Sequence, residues 1–276
     1  MSYKLPLTNL QGYGPGNVAT LKCPAGPGTP TYDQIVLQLG GGLTPAHIEY
    51  IRGKASGRIF HDDGTGTIVN KRDDYRGIFT DAAYVVLDFT EPNARNGASE
   101  QLLASIPGAL LTDLTFEIKI AAGAPAAGTG TLTAVANYRP PTNNPFIRKL
   151  LNTTQAFSAA GTDAAPNIAF LPTGGNGGKL KRIWLHESVA GTTSRVEIRI
   201  ANNVVHEVSR VRNENDQKRN GLVPQTGVFV IDFIEDGNLA GMLDTSRAPS
   251  VELRLTNGAA CTYTVYYELI DPIGRL

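Results

Sequence analysis

Apolar and polar residues alternate at every second position in many short stretches of this chain. In 116–120 the apolar residues take the first, third and fifth positions, and Glu117 and Lys119 lie between them. The stretches 196–200 and 251–255 repeat this arrangement with their own charge pairs. Side chains at i and i+2 of a strand point the same way, so each stretch predicts a strand with one buried face. Antiparallel sheets with one solvated side have this pattern.

The same pattern predicts about eight strands in each half of the chain and little helix. The strands expected in the first half are 17–23, 33–39, 47–52, 57–61, 66–70, 84–90, 114–121 and 131–138. Those expected in the second half are 155–161, 166–171, 180–187, 194–200, 203–208, 227–234, 250–256 and 260–269. Helix is expected only in 100–104, 146–151 and 213–219, and Asp63-Gly64 is a candidate hairpin turn. The fold class is therefore all-β, as two tandem eight-stranded jelly-roll β-sandwiches, which together make a double jelly roll.

The two halves also resemble each other in sequence. Residues 77–91 align without a gap on 221–235, at an offset of 144, which places Asp88 opposite Asp232. A repeat of about half the chain predicts a duplicated domain and not a solenoid. Weaker matches follow in the same order, namely 34–37 with 182–185, 47–49 with 195–197, 116–120 with 251–255, and Val135 with Val265.

The duplication and the prolines together set the expected domain boundaries. Residues 139–145 contain three prolines, which predict a stiff, extended connector. The expected organisation is an N-terminal jelly roll at 1–138, this connector at 139–145, and a C-terminal jelly roll at 146–276.

Composition narrows the classes of function. Charged residues make up 18% of the chain, below the roughly 25% of ordinary soluble domains, which indicates that partners cover much of the surface. The net charge is zero, so nothing favours binding of nucleic acid. The N-terminus has no apolar signal segment, and no apolar run reaches membrane-spanning length, so folding in the cytoplasm is expected. Cys23 and Cys261 are predicted to be reduced and structural.

The repeated D-x-x-E sequence is the first candidate for catalytic chemistry. It places Asp88 with Glu91, and Asp232 with Glu235. A glycosidase needs two carboxyl groups that face one substrate, whereas i and i+3 on a strand point to opposite faces. Presence in both halves also favours an architectural role. A glycine-rich stretch at 173–180 lacks the residues of a phosphate-binding loop and precedes a strand, so it is interpreted as a connection.

Metal, cofactor and catalytic sites are not expected. The four histidines, His47, His61, His186 and His206, lie far apart in sequence, so none forms a closely spaced metal-binding pair. With no acid/base pair either, the chain is predicted not to be an enzyme.

A set of short motifs resembles the major coat protein of corticoviruses, which are tailless icosahedral phages with an internal membrane. The motifs are an early proline-rich segment, Tyr32-x-x-Ile35, 43–48 (L-T-P-A-H-I), 170–172 (F-L-P), Arg182-Ile183, 196–200 and 230–233. The resemblance covers nearly the whole chain and rests on the order of the motifs.

The resemblance implies a specific function. Such a protein forms homotrimers whose six jelly rolls approximate a hexagon, and the trimers tile an icosahedral capsid over a lipid vesicle. Its partners are itself, other capsid and vertex proteins, and the internal viral membrane, and it has no enzymatic activity. The alternative is a carbohydrate-binding or receptor-binding sandwich, as in a phage spike or lectin, although the single Trp184 lies within an alternating strand.

Basic residues near the termini and the connector suggest an orientation on the membrane. Lys4, Arg148, Lys149 and Arg275 are expected to cluster at the base of the subunit, and 146–151 is both basic and apolar. Each cation near anionic lipid contributes about 1 kcal/mol of binding. The alternative is that Arg148 and Lys149 are ordinary solvated charges.

Overall fold

The computed structural model describes residues 3–95, 105–157, 167–171 and 178–276. The chain divides into two compact units. The first comprises Met1–Asp74, Ile78–Leu150 and Pro272–Leu276, and the second comprises Tyr75–Gly77 and Leu151–Asp271. These units differ from the expected 1–138 and 146–276, because the chain terminus and the first residues after the connector pack with the first unit. Ile273 and Leu276 contact its core.

The described residues of the first unit contain two sheets and one α-helix, whose last residue, Tyr75, is grouped with the second unit. Its elements are β1 (Tyr3–Leu7), β2 (Leu10–Gln11), β3 (Val18–Cys23), β4 (Thr31–Gly40), β5 (Ile48–Ala55), β6 (Arg58–Asp63), α1 (Gly66–Tyr75), β7 (Tyr84–Asp88), β8 (Ile106–Pro107), β9 (Leu114–Ile120) and β10 (Thr131–Arg139). One sheet has the order β1-β10-β4-β7, with β8 also paired to β4. The other has the order β6-β5-β9-β3-β2. The strand β11 (Phe146–Phe157) begins in this unit, where Leu150 pairs with His61, and continues into the second.

The second unit repeats the arrangement. Its further elements are β12 (Asn167–Phe170), β13 (Lys179–Glu187), β14 (Thr193–Ile200), β15 (Asn203–Ser209), α2 (Arg210–Arg219), β16 (Val228–Asp232), β17 (Leu243–Asp244), β18 (Val251–Asn257) and β19 (Cys261–Pro272). One sheet has the order β11-β19-β13-β16, and β17 also pairs with β13. The other has the order β12-β18-β14-β15.

Each unit has jelly-roll topology. Numbered along the chain, the eight main strands of a unit form one sheet of order 1-8-3-6 and a second of order 2-7-4-5, in both units. Apolar side chains from the sheets make a separate core in each unit, around Leu37 and Phe116 in the first and around Leu185 and Leu253 in the second. The predicted all-β double jelly roll is confirmed.

The helices α1 and α2 occupy equivalent positions, 144 residues apart. A hydroxyl side chain caps each one at its N-terminus: Thr65 Oγ1 accepts from Ile68 N at 3.3 Å, and Ser209 Oγ accepts from Arg212 N at 3.4 Å. Glycines with positive φ follow both helices, at 70° for Gly77 and 80° for Gly221. The repeated glycine in the sequence therefore marks a helix end.

Several local predictions were wrong. The expected strand 66–70 lies in α1, and Asp63-Gly64 leads into that helix and not into a hairpin. The expected helix 146–151 lies in β11, which begins about nine residues before the strand expected at 155–161.

Helix 213–219 is confirmed within α2. The candidate 100–104 lies outside the described residues, as does most of 173–180. The connector lacks regular structure from 140 to 145, and Thr142 N donates to Thr31 Oγ1 at 3.0 Å.

Strand register confirms the equivalence of the two aspartates. Asp88 ends β7 and pairs with Gln34, whereas Asp232 ends β16 and pairs with Arg182. The expected match of Val135 with Val265 is off by one residue. In the structure Leu37 pairs with Ala134, and the equivalent Leu185 pairs with Val265. Ala134 belongs to the core of the first unit and Val265 to the core of the second. A slip of one residue exchanges the two faces of a strand, so Val135 lies on the opposite face from its sequence match.

Candidate assembly surfaces and their buried supports

A buried ion pair fixes the end of β16 in the second unit. Asp232 Oδ2 accepts from Arg182 Nε at 2.6 Å and from the Tyr75 hydroxyl at 3.2 Å. The other oxygen, Oδ1, accepts from Ile234 N at 3.0 Å and so closes the turn after the strand. Both charged side chains are almost fully buried. Since removal from water is costly for each ion, the geometry must hold them together.

Glu268 extends this cluster. Its carboxylate lies 2.6 Å from Lys181 Nζ, 3.6 Å from Arg182 Nη1 and 3.3 Å from Trp184 Nε1. Lys181, Arg182, Asp232 and Glu268 are thus buried together in one cluster.

The first unit has the same turn, with Gln34 on the neighbouring strand where the second unit has Arg182. Asp88 Oδ2 accepts from Gln34 Nε2 at 3.0 Å, and Oδ1 accepts from Thr90 N at 2.8 Å. Each repeated aspartate therefore bonds to the neighbouring strand and to the backbone nitrogen two residues ahead. The repeated aspartate therefore has the same geometry in both units, as an architectural role would require.

The argument that the D-x-x-E carboxyls point to opposite faces of a strand does not apply in the second unit. The strand ends at Asp232, so Glu235 lies beyond it and strand alternation does not apply. Burial, and then the charge of Asp232, raise the pKa of Glu235 to about 7. In the first unit Glu91 also lies beyond its strand and is buried.

We expect Glu235→Gln to stabilise the protein above neutral pH. The pKa of Glu235 is higher in the folded than in the unfolded chain, so ionisation costs stability as pH rises from about 4.5 to 7. Because the group is partly solvated, the expected gain at pH 8 is below about 1 kcal/mol. Urea unfolding at pH 4 and pH 8 measures it, and an equal gain at both pH values would contradict the assignment.

A second buried cluster lies in the first unit. Asp63 accepts a short hydrogen bond from the Arg72 guanidinium, and its other oxygen lies 3.4 Å from His61 Nε2. Although burial opposes ionisation, Arg72 and His61 hold the pKa of Asp63 well below its usual range. Burial lowers the pKa of His61 itself. This cluster joins α1 to the end of β6.

The other histidines and the cysteines have structural contacts. His47 Nδ1 accepts from Thr44 N at 3.1 Å, His186 packs against Tyr266, and His206 packs against Phe233. Cys23 and Cys261 are free and buried, and burial raises the pKa of Cys23 to about 12. Within the described residues, no three histidine, cysteine or acidic side chains are placed to hold a metal ion.

The structure brings together two of the four basic residues that were expected to face a membrane, and it buries a third. Lys149 Nζ donates to the carbonyl of Arg275 at 3.0 Å, which brings these two residues together near an exposed surface. Lys4 is exposed on β1. Arg148 does not fit the expectation, because it is buried and donates through Nη1 to the carbonyl of Asp88 at 2.5 Å. The alternation of β11 turns Arg148 inward and Lys149 outward.

Exposed apolar side chains mark surfaces that the sequence did not single out. Phe79 is 87% exposed, and Val211, in the first turn of α2, is 81% exposed. Val223, at the position equivalent to Phe79, is also exposed. Two apolar residues follow the glycine at the end of each helix, and this repeat could have drawn attention to the exposed positions. The sequence does not show, however, which of the two residues is buried.

A cavity of about 260 Å³ lies beside Phe79 in the first unit. Its lining consists of Asn70, Asp73, Phe79, Thr80, Asp81, Tyr84 and Val86. It combines apolar side chains with two carboxylates and no cation.

Comparison with family models identifies the class to which this protein belongs. The model of the viral coat protein P2 N-terminal domain matches residues 4–139, and that of the viral coat protein P2 C-terminal domain matches residues 147–273. The chain belongs to the viral coat protein P2 family. This coat protein is therefore a viral major capsid protein, as the resemblance implied, and the two matches flank the proline-rich connector.

Solved structures share the fold of this coat protein. The major capsid protein P2 of bacteriophage PM2 is 17% identical, with a TM-score of 0.84 and coverage of 99% of each chain. The STIV major capsid protein (Sulfolobus Turreted Icosahedral Virus) is 15% identical, with a TM-score of 0.68 and coverage of 100% of this chain and 99% of that one. PBCV-1 VP54 is 12% identical, with a TM-score of 0.63 and coverage of 98% and 93%. No curated protein matches the sequence.

Two further observations bear on the coat protein. Trp184, its single tryptophan, is 2% exposed and so is not placed to stack on a sugar, which adds to the sequence argument against the carbohydrate-binding alternative. In the part of the chain that the structure describes, helices are too short and polar to span a bilayer.

Proposed function

We propose that this coat protein assembles as a homotrimer of pseudo-hexagonal outline, and that the trimers tile an icosahedral shell over an internal membrane. The observation that carries the proposal is the duplicated jelly roll. Two equivalent units in each chain give six similar units in a trimer, which approximates sixfold symmetry. Cyclic symmetry built from one repeated contact is a common route to closed oligomers.

Light scattering and electron microscopy of the purified full chain test this proposal. We expect a species of three times the chain mass of 29.4 kDa at micromolar concentration and physiological salt. Images should show a hexagonal outline. A stable monomer under these conditions would contradict the trimer.

We also propose that the surface around Lys149 and Arg275 faces the membrane. Lys149 is partly exposed and Arg275 is exposed, and their contact makes a local basic site. Lys4 adds a third exposed cation on β1, whereas Arg148 is left out because it is buried. Anionic lipid headgroups are the matching chemistry.

Charge reversal distinguishes this surface from the rest of the protein. The double variant Lys149→Glu, Arg275→Glu should bind phosphatidylglycerol vesicles roughly tenfold or more weakly than the parent, since each lost cation removes about 1 kcal/mol. The matched control is Lys22→Glu, Arg58→Glu, which reverses two other exposed cations. Equal loss in both double variants would reduce the effect to net charge and overturn the proposed orientation.

The remaining features of the proposed role follow from that of a coat protein. The protein folds in the host cytoplasm, enters the virion, and meets vertex and minor capsid proteins at the edges of the lattice. It has no intrinsic catalysis. Glu235→Gln and Glu91→Gln should therefore change stability without changing any function of the particle, and hydrolase activity lost in either variant would contradict this.

A further inference from the structure

The outer faces of the two equivalent sheets differ in exposure. In the first unit the face of β4 and β7 that points away from the core carries Val36, which is half-buried, and Tyr84, which is 41% exposed. At the same register positions in the second unit, Trp184 and Val228 are 2% and 4% exposed. We call the exposed surface, at Val36, Tyr84 and Val86, the open face.

Tyr75 covers the equivalent face in the second unit. Its ring meets that of Trp184 edge-on, with centroids 5.1 Å apart, and its hydroxyl donates to Asp232. Val223 N donates to the Tyr75 carbonyl at 2.8 Å. Tyr75 is the last residue of α1. In the second unit, therefore, the end of a helix buries the face of the sheet that points away from the core.

The end of α2 is available for the same role. Arg219 holds the position in α2 that Tyr75 holds in α1, and Lys218 precedes it. Lys218, Arg219 and Val223 are exposed, whereas Tyr75 and Arg76 are buried. Neither Lys218 nor Arg219 forms an ion pair within the described residues. The outer sheet face is thus covered in the second unit and open in the first. The C-terminal end of α1 is buried, whereas that of α2 is exposed.

Charge matches the exposed helix end to the open face. The cavity beside Phe79 shares Tyr84 and Val86 with the open face, and the exposed carboxylate of Asp81 lines it. The end of α2 carries the opposite sign, and Val223 adds an apolar contact. Opposite charges at a rim favour association in one orientation.

We propose that the C-terminal end of α2 docks on the open face of a second copy of this chain, with Arg219 above Val36 as Tyr75 lies above Trp184. The inference rests on the proposed trimer and names its contact. A helix end and a sheet face are different surfaces, so the contact is head-to-tail. Such contacts close into a ring when the rotation between copies allows it.

Site-directed crosslinking tests the contact directly. We expect the double variant Val36→Cys, Arg219→Cys, treated with a short bismaleimide, to give covalent dimers and trimers and no larger species. Each single variant should give neither, since the two positions belong to different surfaces. The native thiols are buried, which leaves the parent as the background control.

Charge reversal gives a second measurement. Arg219→Glu should raise the protein concentration at half-dissociation roughly tenfold or more, because it places like charges together. Arg58→Glu is the matched control, an exposed cation on β6 outside the proposed contact, and should leave that concentration unchanged.

The outcomes separate this contact from the trimer itself. If the parent is trimeric but neither Arg219→Glu nor the cysteine pair shows the expected behaviour, the docking contact is wrong and the trimer stands. Crosslinking of a single variant to itself would also overturn the contact, because it would indicate a symmetric interface. A parent that stays monomeric contradicts the proposed trimer and the contact together.

Discussion

Asp232→Ala is expected to lower the free energy of unfolding by about 3 kcal/mol or more, because it removes one partner of a buried ion pair. Arg182 would lose its 2.6 Å contact with Asp232 and keep the longer contact, 3.6 Å, between Nη1 and Glu268. The Tyr75 hydroxyl and the Ile234 amide would also lose their acceptor. Urea unfolding of the full chain, at one fixed protein concentration, measures the loss.

Two variants control for the charge and for the turn. Asp236→Ala removes an exposed carboxylate that, among the described residues, accepts one hydrogen bond, from Asn238 N, so its effect should be below about 1 kcal/mol. Asp88→Ala removes the equivalent turn of the first unit, with its bonds from Gln34 Nε2 and Thr90 N, and should cost about 1 kcal/mol or more. Equal losses for Asp232→Ala and Asp236→Ala would show that the buried pair is not what stabilises β16.

Gly41→Ala is expected to destabilise the first unit by about 3 kcal/mol or more, because strain and a backbone clash act together. Gly41 has φ of 60°, and a Cβ there would lie 1.7 Å from the carbonyl oxygen of Thr129. No side-chain rotation relieves a clash with backbone, so one of the two loops must move. Thermal unfolding measures the cost.

The adjacent Gly42→Ala separates the clash from the strain. Gly42 also has positive φ, at 82°, but a Cβ there meets only Pro125 Cγ, at 3.6 Å. Its expected cost is about 1 kcal/mol, which is the conformational penalty alone. Similar costs at the two positions would contradict a close approach of the loops.

The sequence predicted those parts of the fold in which the local pattern of apolar and polar residues is strong. Alternation located β9, β18 and β14 correctly, because a strand with one wet face shows period two in its own residues. The misassigned segments are those where local and tertiary preferences differ. Ile68 and Val69 suggested a strand, yet Thr65 caps a helix there and Arg72 anchors it to Asp63.

The predictions about sites divided in the same way. The architectural role of the repeated aspartates could be inferred, because duplication is visible in sequence. The burial of Arg148 could not be inferred from the sequence. Two adjacent basic residues are normally expected to be solvated, and only the direction of the strand shows that one of them points inward. Phe79 was missed because exposure of an apolar residue depends on what packs over it.

By itself, the sequence determined that this protein is a duplicated all-β chain with a proline-rich connector, because repeats, alternation and prolines are local properties. Only the tertiary structure decided that Trp184 is covered while its equivalent Val36 is open, and that Tyr75 is buried while Arg219 is exposed. These differences arise because burial depends on residues distant in sequence. Two copies of one pattern therefore acquire different surfaces when they fold in one chain.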